Sequence, residues 1–356
     1  MSFTRSIFLT GFPGFIAAKL VERLAREEAQ FFLLVQRQFV GKATAEIEGI
    51  SARTGTPIEN FALVEGDIAF KNLGISDEDL ATLRSETTDI FHLAAVYDLA
   101  VEKTLAHRVN FEGTRNINDF ARSVQNLRLY NYISTCYVAG KRKGLVLETD
   151  LSDEAGFRNC YEETKYLAEK AVEDLKEELP ITIFRPSVVV GDSRTGETAK
   201  YDGIYSLIQY LQKAPGLLRF VNVGNTNVRL NLVPVDFVVA GIAALAEDEN
   251  AVGKTIALAD PDPLTTAALF DAIAEKLTGK RSATMPPSKL VEWLLNLPLS
   301  PPLTGLPHAG VPYFFIEQVY DTSIADRLLA KYRINCPNFK DYVENLLEFV
   351  KKHPQL

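Results

Sequence analysis

Short apolar runs alternate along the first two thirds of the chain with stretches whose apolar residues recur at helical spacing. The runs are continuous rather than alternating, which is typical of parallel strands that are covered on both faces. This rhythm predicts an α/β fold with a Rossmann-type, doubly wound parallel sheet, whose ligands bind at the carboxyl ends of the strands. The runs interpreted as strands are residues 7–10, 31–35, 61–64, 89–95, 129–133, 181–184 and, as the last, 255–258.

Helical spacing predicts the elements between these strands. Helices are expected to begin near residues 16, 109 and 233, and further helices are expected over residues 161–179 and 201–213. Pro180 stops the helix over 161–179, because proline has no N–H and cannot continue a helix.

The first strand leads through a glycine turn, Gly11 to Gly14, into the first helix. Glycines let the backbone approach a pyrophosphate, and the N–H groups of the following helix point at that anion. Ala17 replaces the third glycine of the usual fingerprint and is small enough for close packing of helix on strand. The segment predicts a dinucleotide site, with a plain tight turn as the alternative.

The end of the second strand bears on the choice of cofactor. Gln36 and Arg37 follow this strand, and between its end and Glu46 there is no Asp or Glu. An acidic residue at this place binds the ribose hydroxyls of NAD, whereas a basic residue holds the 2′-phosphate of NADP. The sequence therefore favours NADP(H) over NAD(H), with an ordinary solvated charge as the alternative interpretation of Arg37.

Beyond Gly191 the alternation of strand and helix gives way to a polar loop and then, from Pro261, to mainly helical sequence. We predict a dinucleotide-binding domain over 1–190, with returns near 228–260, and a smaller, mainly helical C-terminal substrate lobe formed by 191–227 and 261–356. Residues 293–315 of that lobe are apolar but broken by prolines. They are expected to form the wall or lid of an apolar pocket, or else the packed core of the lobe.

Charge and cysteine content exclude several classes of protein. Lys and Arg number 38 and Asp and Glu 46, a formal charge of −8, and no long basic run suggests nucleic acid or a membrane anchor as partner. The 3 cysteines are too scattered for a disulfide framework and are expected to be free thiols, and no Cys and His cluster has the spacing of metal ligands. His92 lies in an apolar run and is expected to be a hydrogen-bonded core residue.

The first apolar run is already the strand of the glycine turn, and no stretch reaches the roughly 20 apolar residues of a membrane span. We therefore expect a cytoplasmic protein without a transmembrane segment that acts on a small molecule. The pattern does not indicate an oligomeric state.

A tyrosine and a lysine four residues apart share one face of a helix, where the ammonium can favour the phenolate. Three such pairs occur. Tyr137 and Lys141 straddle Gly140 in a turn sequence, where no helix should persist. Tyr166 lies about 140° from Tyr161 on the helical wheel, so its pair with Lys170 points elsewhere. The stripe expected to face the sheet contains Tyr161, Lys165, Ala168, Val172, Leu175 and Leu179.

Tyr161 begins this helix beside a strand that ends at Ser134 and Thr135. A hydroxyl, a phenol and an ammonium can therefore converge next to the cofactor. We expect Lys165 to lower the pKa of Tyr161 from its usual value near 10 toward the range useful for acid–base chemistry. The combination predicts a hydride-transfer site.

These residues carry a family resemblance that covers nearly the whole chain. The chain resembles the extended short-chain dehydrogenases/reductases, and within them the male-sterility-type branch of fatty acyl-CoA reductases and carrier-protein thioester reductases. The motifs that carry it are Thr10-Gly11-x-x-Gly14, Asp67-Ile68, His92-Leu93-Ala94-Ala95, Val109-Asn110-x-x-Gly113-Thr114, Ile133-Ser134-Thr135-x-Tyr137-Val138, Tyr161-x-x-x-Lys165, Arg185-Pro186-Ser187-x-Val189-x-Gly191 and Tyr320-Asp321-Thr322-Ser323.

The resemblance implies a catalytic set of Asn110, Thr135, Tyr161 and Lys165. Tyr161 would be the general acid or base, Lys165 would hold the nicotinamide ribose, and Thr135, rather than Ser134, would hydrogen bond to the reacting carbonyl. Asn110 would bind a relay water by way of its helix. No metal is implied. The cofactor-binding residues would be Thr10, Gly11, Phe12, Pro13, Gly14, Phe15, Ile16, Arg37, Asp67, Ile68, Leu93, Ala94, Ala95, Tyr161, Lys165, Pro186, Ser187 and Val188.

The function expected is that of an NADP(H)-dependent reductase that delivers hydride to the carbonyl of an acyl thioester, giving an aldehyde or an alcohol. No carrier or adenylation domain precedes Met1, so the thioester is expected to arrive on coenzyme A or on a separate carrier protein. An alcohol or ketone dehydrogenase, or a nucleotide-sugar epimerase or dehydratase, would use the same residues. A non-catalytic dinucleotide sensor is a further alternative, although it predicts loss of the tyrosine and lysine that are present.

Overall fold

The computed structural model describes residues 3–25, 29–213, 222–282, 286–297 and 308–354. Within them, the main sheet has seven strands in the order β10-β7-β5-β4-β1-β2-β3, all paired in parallel. The strands of the chain are β1 (Ser6–Thr10), β2 (Gln30–Val35), β3 (Phe61–Glu65), β4 (Asp89–His92), β5 (Leu129–Ile133), β6 (Gly144–Val146), β7 (Ile181–Pro186), β8 (Val188–Val190), β9 (Leu232–Pro234), β10 (Thr255–Leu258) and β11 (Gln318–Tyr320).

Helices connect these strands and cover both faces of the sheet. They are α1 (Phe15–Leu24), α2 (Val40–Thr54), α3 (Asp77–Glu86), α4 (Lys103–Ala106), α5 (Gly113–Ser123), α6 (Cys160–Glu173), α7 (Ile204–Lys213), α8 (Val235–Leu245), α9 (Thr266–Thr278), α10 (Ser288–Leu295), α11 (Ser323–Ala330) and α12 (Phe339–Lys352). A π-helical segment, His107–Glu112, joins α4 to α5.

Strand order reverses between β1 and β4, which are neighbours in the sheet. From β1 the chain adds β2 and β3 on one side, and it then adds β4, β5, β7 and β10 on the other. A ligand of a doubly wound sheet binds outside the carboxyl ends of the strands at this reversal. The Rossmann-type fold expected from the sequence is confirmed.

Alternation along the strands divides the apolar residues between two cores. Ile7 and Leu9 face α1, α8 and α11, whereas Phe8 faces the side of α5 and α6. Both groups are fully buried, which explains why the strands read as continuous apolar runs rather than as alternating ones.

A third core lies beyond the sheet. It is formed by side chains of α7, α9 and α12 packed on residues of β8 and β9. By contrast, α11 contributes Ala325, Leu328 and Leu329 to the sheet core, although it lies in the range expected to belong to the lobe. The division of the chain into two domains stays a prediction.

Several element boundaries differ from the expectations. Helix α6 ends at Glu173, and residues after it form turns up to Leu179. The helix expected from residue 233 begins at Val235, because β9 occupies the preceding residues and pairs with β8. The strand over 255–258 is the last strand of the main sheet, but β11 follows it and pairs with β6.

Of the segment 293–315, residues 298–307 lie outside the described residues, and with them Pro298, Pro301, Pro302 and Pro307. Pro312 lies inside a 3₁₀ helix, His308–Phe314.

Candidate active site

The glycine turn packs closely against the residues that follow β4. Gly11 has φ +91°, and a Cβ at this position would lie 3.0 Å from the Ala94 nitrogen and 3.0 Å from the Leu93 carbonyl carbon. The Gly14 N–H donates to the Gly11 carbonyl oxygen at 2.8 Å. Only glycine combines this φ with so close a backbone neighbour. Leu93 and Ala94 thus lie beside the turn; their role in binding a cofactor, and that of Ala95, stays a prediction.

Helix α1 starts directly at this turn. Gly14 is its N-cap, it has no side chain to cap the first N–H groups, and no acidic residue lies in the first helical turn. Phe12 and Pro13 are buried beneath the turn, while Phe15 and Ile16 begin the helix. The free N–H groups and the positive end of the helix dipole form a site for an anion.

Ala17 lies one residue further along and is buried in the sheet core. A small residue at this position lets α1 lie close to the sheet, as expected for the third glycine of the fingerprint.

The carboxyl ends of β2 and β3 are linked by side chains. Gln36 Nε2 donates to Asp67 Oδ2 at 2.8 Å, and Asp67 Oδ1 accepts from the Ala69 N–H at 2.9 Å. Arg37 begins the next 3₁₀ turn with its side chain 88% exposed, and its Nε lies 3.9 Å from Glu65 Oε1. The guanidinium is therefore accessible at the place where a dinucleotide carries its 2′ group.

Ile68 packs under helix α5 rather than toward solvent. It is buried in the core, and a Cβ on Gly113 would lie 2.7 Å from its Cδ1. Gly113 therefore allows α5 to approach the end of β3, which explains this glycine of the motif.

His92 is a buried residue with both ring nitrogens hydrogen bonded. Nδ1 lies 2.7 Å from Thr10 Oγ1, and Nε2 lies 3.0 Å from Thr114 Oγ1. Thr10 Oγ1 also accepts from the Ala94 N–H at 3.1 Å. Burial lowers the pKa of His92 to about 3, and the Lys165 charge lowers it further in the same direction. The expectation of a core histidine is confirmed.

Tyr161 and Thr135 are brought together at the end of β5. The Thr135 hydroxyl lies near enough to the Tyr161 phenol to act on its pKa, and it accepts from the Tyr137 N–H at 3.2 Å. Ser134 points to the other face of the strand, where its hydroxyl donates to the Glu169 carboxylate. Because neighbouring residues of a strand face opposite sides, Thr135 and not Ser134 lies beside Tyr161.

Lys165 is buried one helical turn after Tyr161. Its Nζ donates to the Tyr132 hydroxyl at 2.9 Å and to the Ile133 carbonyl oxygen at 3.0 Å, and it lies 4.5 Å from the centre of the Tyr132 ring. Burial lowers the pKa of Lys165 to about 8, although the nearby Glu169 carboxylate raises it.

The pKa of Tyr161 differs from the expectation. Burial raises it to about 12, and the nearby Thr135 hydroxyl acts in the opposite direction. The predicted lowering by Lys165 is wrong for this arrangement, because the ammonium is directed to Tyr132 and the Ile133 carbonyl instead of to the phenol. The Tyr161 phenol is thus protonated at neutral pH.

Asn110 lies in the π-helical segment and is 1% exposed. Its Oδ1 accepts from the Val96 N–H at 2.8 Å, and its Nδ2 donates to the Val96 carbonyl at 3.1 Å and to Thr164 Oγ1 at 3.1 Å. The side chain therefore fastens the loop after β4 to helix α6. The relay by way of its helix stays a prediction.

The end of β7 supplies the remaining predicted residues. Pro186 is its last residue, the Ser187 hydroxyl donates to the Asn231 carbonyl oxygen at 2.5 Å, and Val188 begins β8. Val188 lines a small pocket, together with Tyr137, Arg229, Leu230, Asn231, Tyr313, Ile316, Gln318 and Tyr320. The rings of Tyr137 and Tyr313 are 4.5 Å apart. Tyr313 is the residue of the segment 293–315 that lines this pocket, and the wall or lid over an apolar pocket stays a prediction.

Three buried carboxylates near the site were missed from the sequence, namely Glu148, Glu162 and Glu169. Glu169 accepts from Arg185 Nη2 at 2.5 Å and from Arg185 Nε at 2.9 Å. Glu148 accepts from the N–H groups of Ala257, Ile324 and Ala325, so it joins β10 to the start of α11. The position of Glu169, four residues after Lys165, was a signal that could have indicated a charge on the buried face.

Among the described residues, no group of His, Cys, Asp or Glu side chains is arranged to hold a metal ion. No helix in the same part of the chain has both the length and the apolar character needed to cross a membrane.

Similarity to known proteins agrees with this geometry. The family model described as "Male sterility protein", an NAD-binding family, matches residues 9–242. The fatty acyl-CoA reductase wat of Drosophila melanogaster is 27% identical over 281 residues, which are 68% of this chain and 54% of that protein. The chain thus spans about half the length of the curated relatives it matches.

Solved structures show the same fold. The terminal R domain of the myxalamid PKS-NRPS pathway superposes with a TM-score of 0.82 at 23% identity, over 99% of this chain and 92% of that one. A thiolation-reductase di-domain from an archaeal non-ribosomal peptide synthetase gives 0.78 at 19% identity, over 98% and 76%. By its sequence, this chain belongs to the male sterility protein family.

Proposed function

We propose that this protein is an NADP(H)-dependent reductase that transfers hydride to the carbonyl carbon of an acyl thioester. The observation that carries the proposal is the meeting of the Thr135 hydroxyl and the Tyr161 phenol at the carboxyl edge of the sheet. The glycine turn of β1 lies at the same edge, because all strands of the main sheet run in parallel.

The residues of the turn fit a dinucleotide. At Gly11 any Cβ would press on the backbone of Leu93 and Ala94, and the uncapped N-terminus of α1 offers N–H groups to a pyrophosphate. Lys165 would hold the nicotinamide ribose. When bound, the reduced nicotinamide supplies the hydride.

The chain's own residues supply hydrogen bonds and a proton. Tyr161 and Thr135 would both donate to the carbonyl oxygen, on which negative charge develops as the hydride adds to the carbon. The raised pKa keeps Tyr161 protonated, which suits a donor in the reductive direction. Breaking the carbon–sulfur bond then releases the aldehyde and a thiol, the proton passing from Tyr161 to the products and being restored from solvent.

The pocket supports an apolar acyl group near the reacting carbon. Its polar side chains are largely used within the protein, since Gln318 Nε2 donates to two backbone carbonyls and Asn231 bonds both backbone groups of Asp260. The faces of Tyr137, Tyr313 and Tyr320 remain as lining. The thioester would arrive on coenzyme A or on a carrier protein, as the names of the matched reductases and of the thiolation-reductase structure suggest.

The cellular setting is part of the proposal. The three cysteines are free thiols, which supports a reducing compartment such as the cytoplasm.

The test is the oxidation of NADPH with a panel of acyl-CoA thioesters, simple aldehydes and ketones. We expect turnover with at least one thioester and a fall of roughly 10²–10⁴-fold in Tyr161→Phe, the range for loss of a general acid. Tyr166→Phe is the matched control, because Tyr166 is on the same helix but packs on Phe157. Oxidation of NADPH with the aldehydes or ketones but with no thioester would overturn thioester reduction in favour of a simple dehydrogenase.

A further inference from the structure

The Lys165 ammonium is buried and has two hydrogen-bond acceptors. It is 3% exposed, and it donates to the Tyr132 hydroxyl and to the Ile133 carbonyl oxygen. A buried ammonium depends on each of its acceptors, because an unpaired N–H in the interior costs free energy. Of these two acceptors, the Tyr132 hydroxyl is the one that a side-chain change can remove.

The Lys165 ammonium fixes the acceptor role of the Tyr132 oxygen. An ammonium has only N–H donors, so the Tyr132 hydroxyl oxygen accepts from Lys165 Nζ at 2.9 Å. The nearby Thr114 hydroxyl has a single proton, and it donates this proton to the Asn110 carbonyl oxygen at 2.6 Å.

The same reasoning assigns the proton of His92. Because the Thr114 proton is already used, the Nε2–H of His92 donates to Thr114, and Nδ1 accepts from the Thr10 hydroxyl. The hydrogen bonds thus run from Thr10, the last residue before the glycine turn, through His92 to Thr114 and the Asn110 carbonyl oxygen. Each member has a fixed donor and acceptor role.

We propose that Tyr132 is a positioning residue whose hydroxyl oxygen holds the Lys165 ammonium in place. The proposal rests on the proposed function for the role of Lys165 in turnover. It extends that function by assigning a buried residue of β5 that orients the ammonium.

Other charged and titratable groups also face Lys165. Glu169 lies on the same helix and is paired with Arg185 of β7, His92 approaches from β4, and Tyr161 precedes it by one helical turn. Removing the Tyr132 hydroxyl leaves all of these groups in place. A change in the titration of Lys165 in that variant can therefore be assigned to the lost hydrogen bond.

The chain offers a closely matched control in Tyr130. It is on the same strand and the same face, it is as fully buried as Tyr132, and its hydroxyl donates to Asn118 Oδ1 at 2.8 Å. Tyr130→Phe removes a buried hydroxyl and its hydrogen bond without touching Lys165. Its effect on the free energy of unfolding should resemble that of Tyr132→Phe.

The first measurement needs no substrate. The full-length protein is labelled with ¹³C at the lysine ε-carbon, the Lys165 signal is identified by its loss in Lys165→Met, and its pKa is followed by NMR. Loss of an acceptor destabilises the ammonium, so Tyr132→Phe should titrate at a pH lower by about one unit or more, while Tyr130→Phe titrates as the parent does.

The second measurement is the pH dependence of turnover. In Tyr132→Phe we expect kcat to fall roughly tenfold to a hundredfold, which is the range for a lost hydrogen bond to a charged group. The limb of the pH–rate profile that reports the titration of Lys165 should move to lower pH. Tyr130→Phe should keep the parent profile.

Equal Lys165 titration in parent and Tyr132→Phe would overturn the positioning role, whatever the turnover. A parent protein that reduces no thioester would instead overturn the proposed function, and the NMR titration would still decide the role of Tyr132. Equal stability loss in both tyrosine variants, with a titration shift in Tyr132→Phe alone, is the result expected.

Discussion

Ser134 and Thr135 are neighbours in sequence but have different surroundings. Thr135 meets Tyr161 at the edge of the sheet, whereas Ser134 donates to Glu169 on the buried side, next to Arg185. The segment directly after β5 therefore supplies the Thr135 hydroxyl to the site and the Ser134 hydroxyl to the buried pair of Glu169 and Arg185. Mutating each residue alone distinguishes the two roles.

We expect Thr135→Ala to lower kcat/KM about 10²–10³-fold, the range for loss of one hydrogen bond to a developing oxyanion, with little change in stability. Ser134→Ala should leave turnover nearly unchanged but lower the free energy of unfolding by about 1–3 kcal/mol, since Glu169 loses a buried donor. Steady-state kinetics and urea unfolding of both variants measure this. A larger loss of turnover in Ser134→Ala than in Thr135→Ala would contradict the assignment.

At the scale of elements, Glu148 fastens α11 to the sheet. Its carboxylate accepts from the Ala257 N–H of β10 at 2.8 Å and from the first N–H groups of α11, Ile324 at 2.6 Å and Ala325 at 3.1 Å. Burial raises the pKa of Glu148 to about 7, although these three donors act to lower it. One side chain thus joins residues far apart in the sequence, and its charge depends on pH near neutrality.

This pKa predicts a pH-dependent stability. Between its ordinary value of 4.5 and about 7, Glu148 keeps its proton in the folded chain and loses it in the unfolded one. Its contribution to the free energy of unfolding therefore falls as pH rises through this range. Relative to the parent, Glu148→Gln should become steadily more stable as pH rises from 5 to 8, as measured by urea unfolding.

Glu154→Gln, at an exposed position, provides the control. Its difference from the parent should stay constant over the same range. A constant difference for Glu148→Gln as well would show that Glu148 does not titrate there.

The elements also show which features the sequence could predict. Strands β1 and β2 were found because burial on both faces leaves a continuous apolar run. The 3-residue strands β6, β8, β9 and β11 were not found as strands, because such short pieces carry no periodicity. Their pairing joins distant residues, as between Val146 and Tyr320.

Some features of the candidate site could likewise be predicted from the sequence, and others could not. Tyr161 and Thr135 could be placed together because the carboxyl ends of parallel strands share one edge. The direction of the Lys165 ammonium could not be predicted, since it depends on the Tyr132 hydroxyl and on a strand carbonyl across the packing of helix on sheet. The same burial raises the pKa of Tyr161, where helical spacing alone suggested a fall.

For the whole molecule, cofactor binding should appear as stabilisation of the fold. A ligand that binds the folded state alone stabilises it by about 2.7 kcal/mol at 100 times its Kd. If Arg37 holds the 2′-phosphate, NADPH should raise the Tm more than NADH at equal concentration, and Arg37→Ala should remove most of the difference. Thermal unfolding with each dinucleotide measures this.

Arg281→Ala is the matched control, because Arg281 is also highly exposed and carries an ion pair with Glu275. It should keep the preference of the parent. Equal stabilisation of the parent by the two dinucleotides would reject the phosphate role of Arg37.

The path of the chain between β7 and β10 bears on any attempt to exchange the part of the chain that forms the third core. These strands are neighbours in the sheet, yet residues 187–254 lie between them in the sequence and supply β8, β9 and α7 to the third core. After β10 the chain adds α9 to that core, returns to the sheet with α11, and leaves it again with α12. Grafting a foreign segment in its place would therefore require a compatible splice at every crossing, so new substrate ranges are more readily reached by changing pocket side chains.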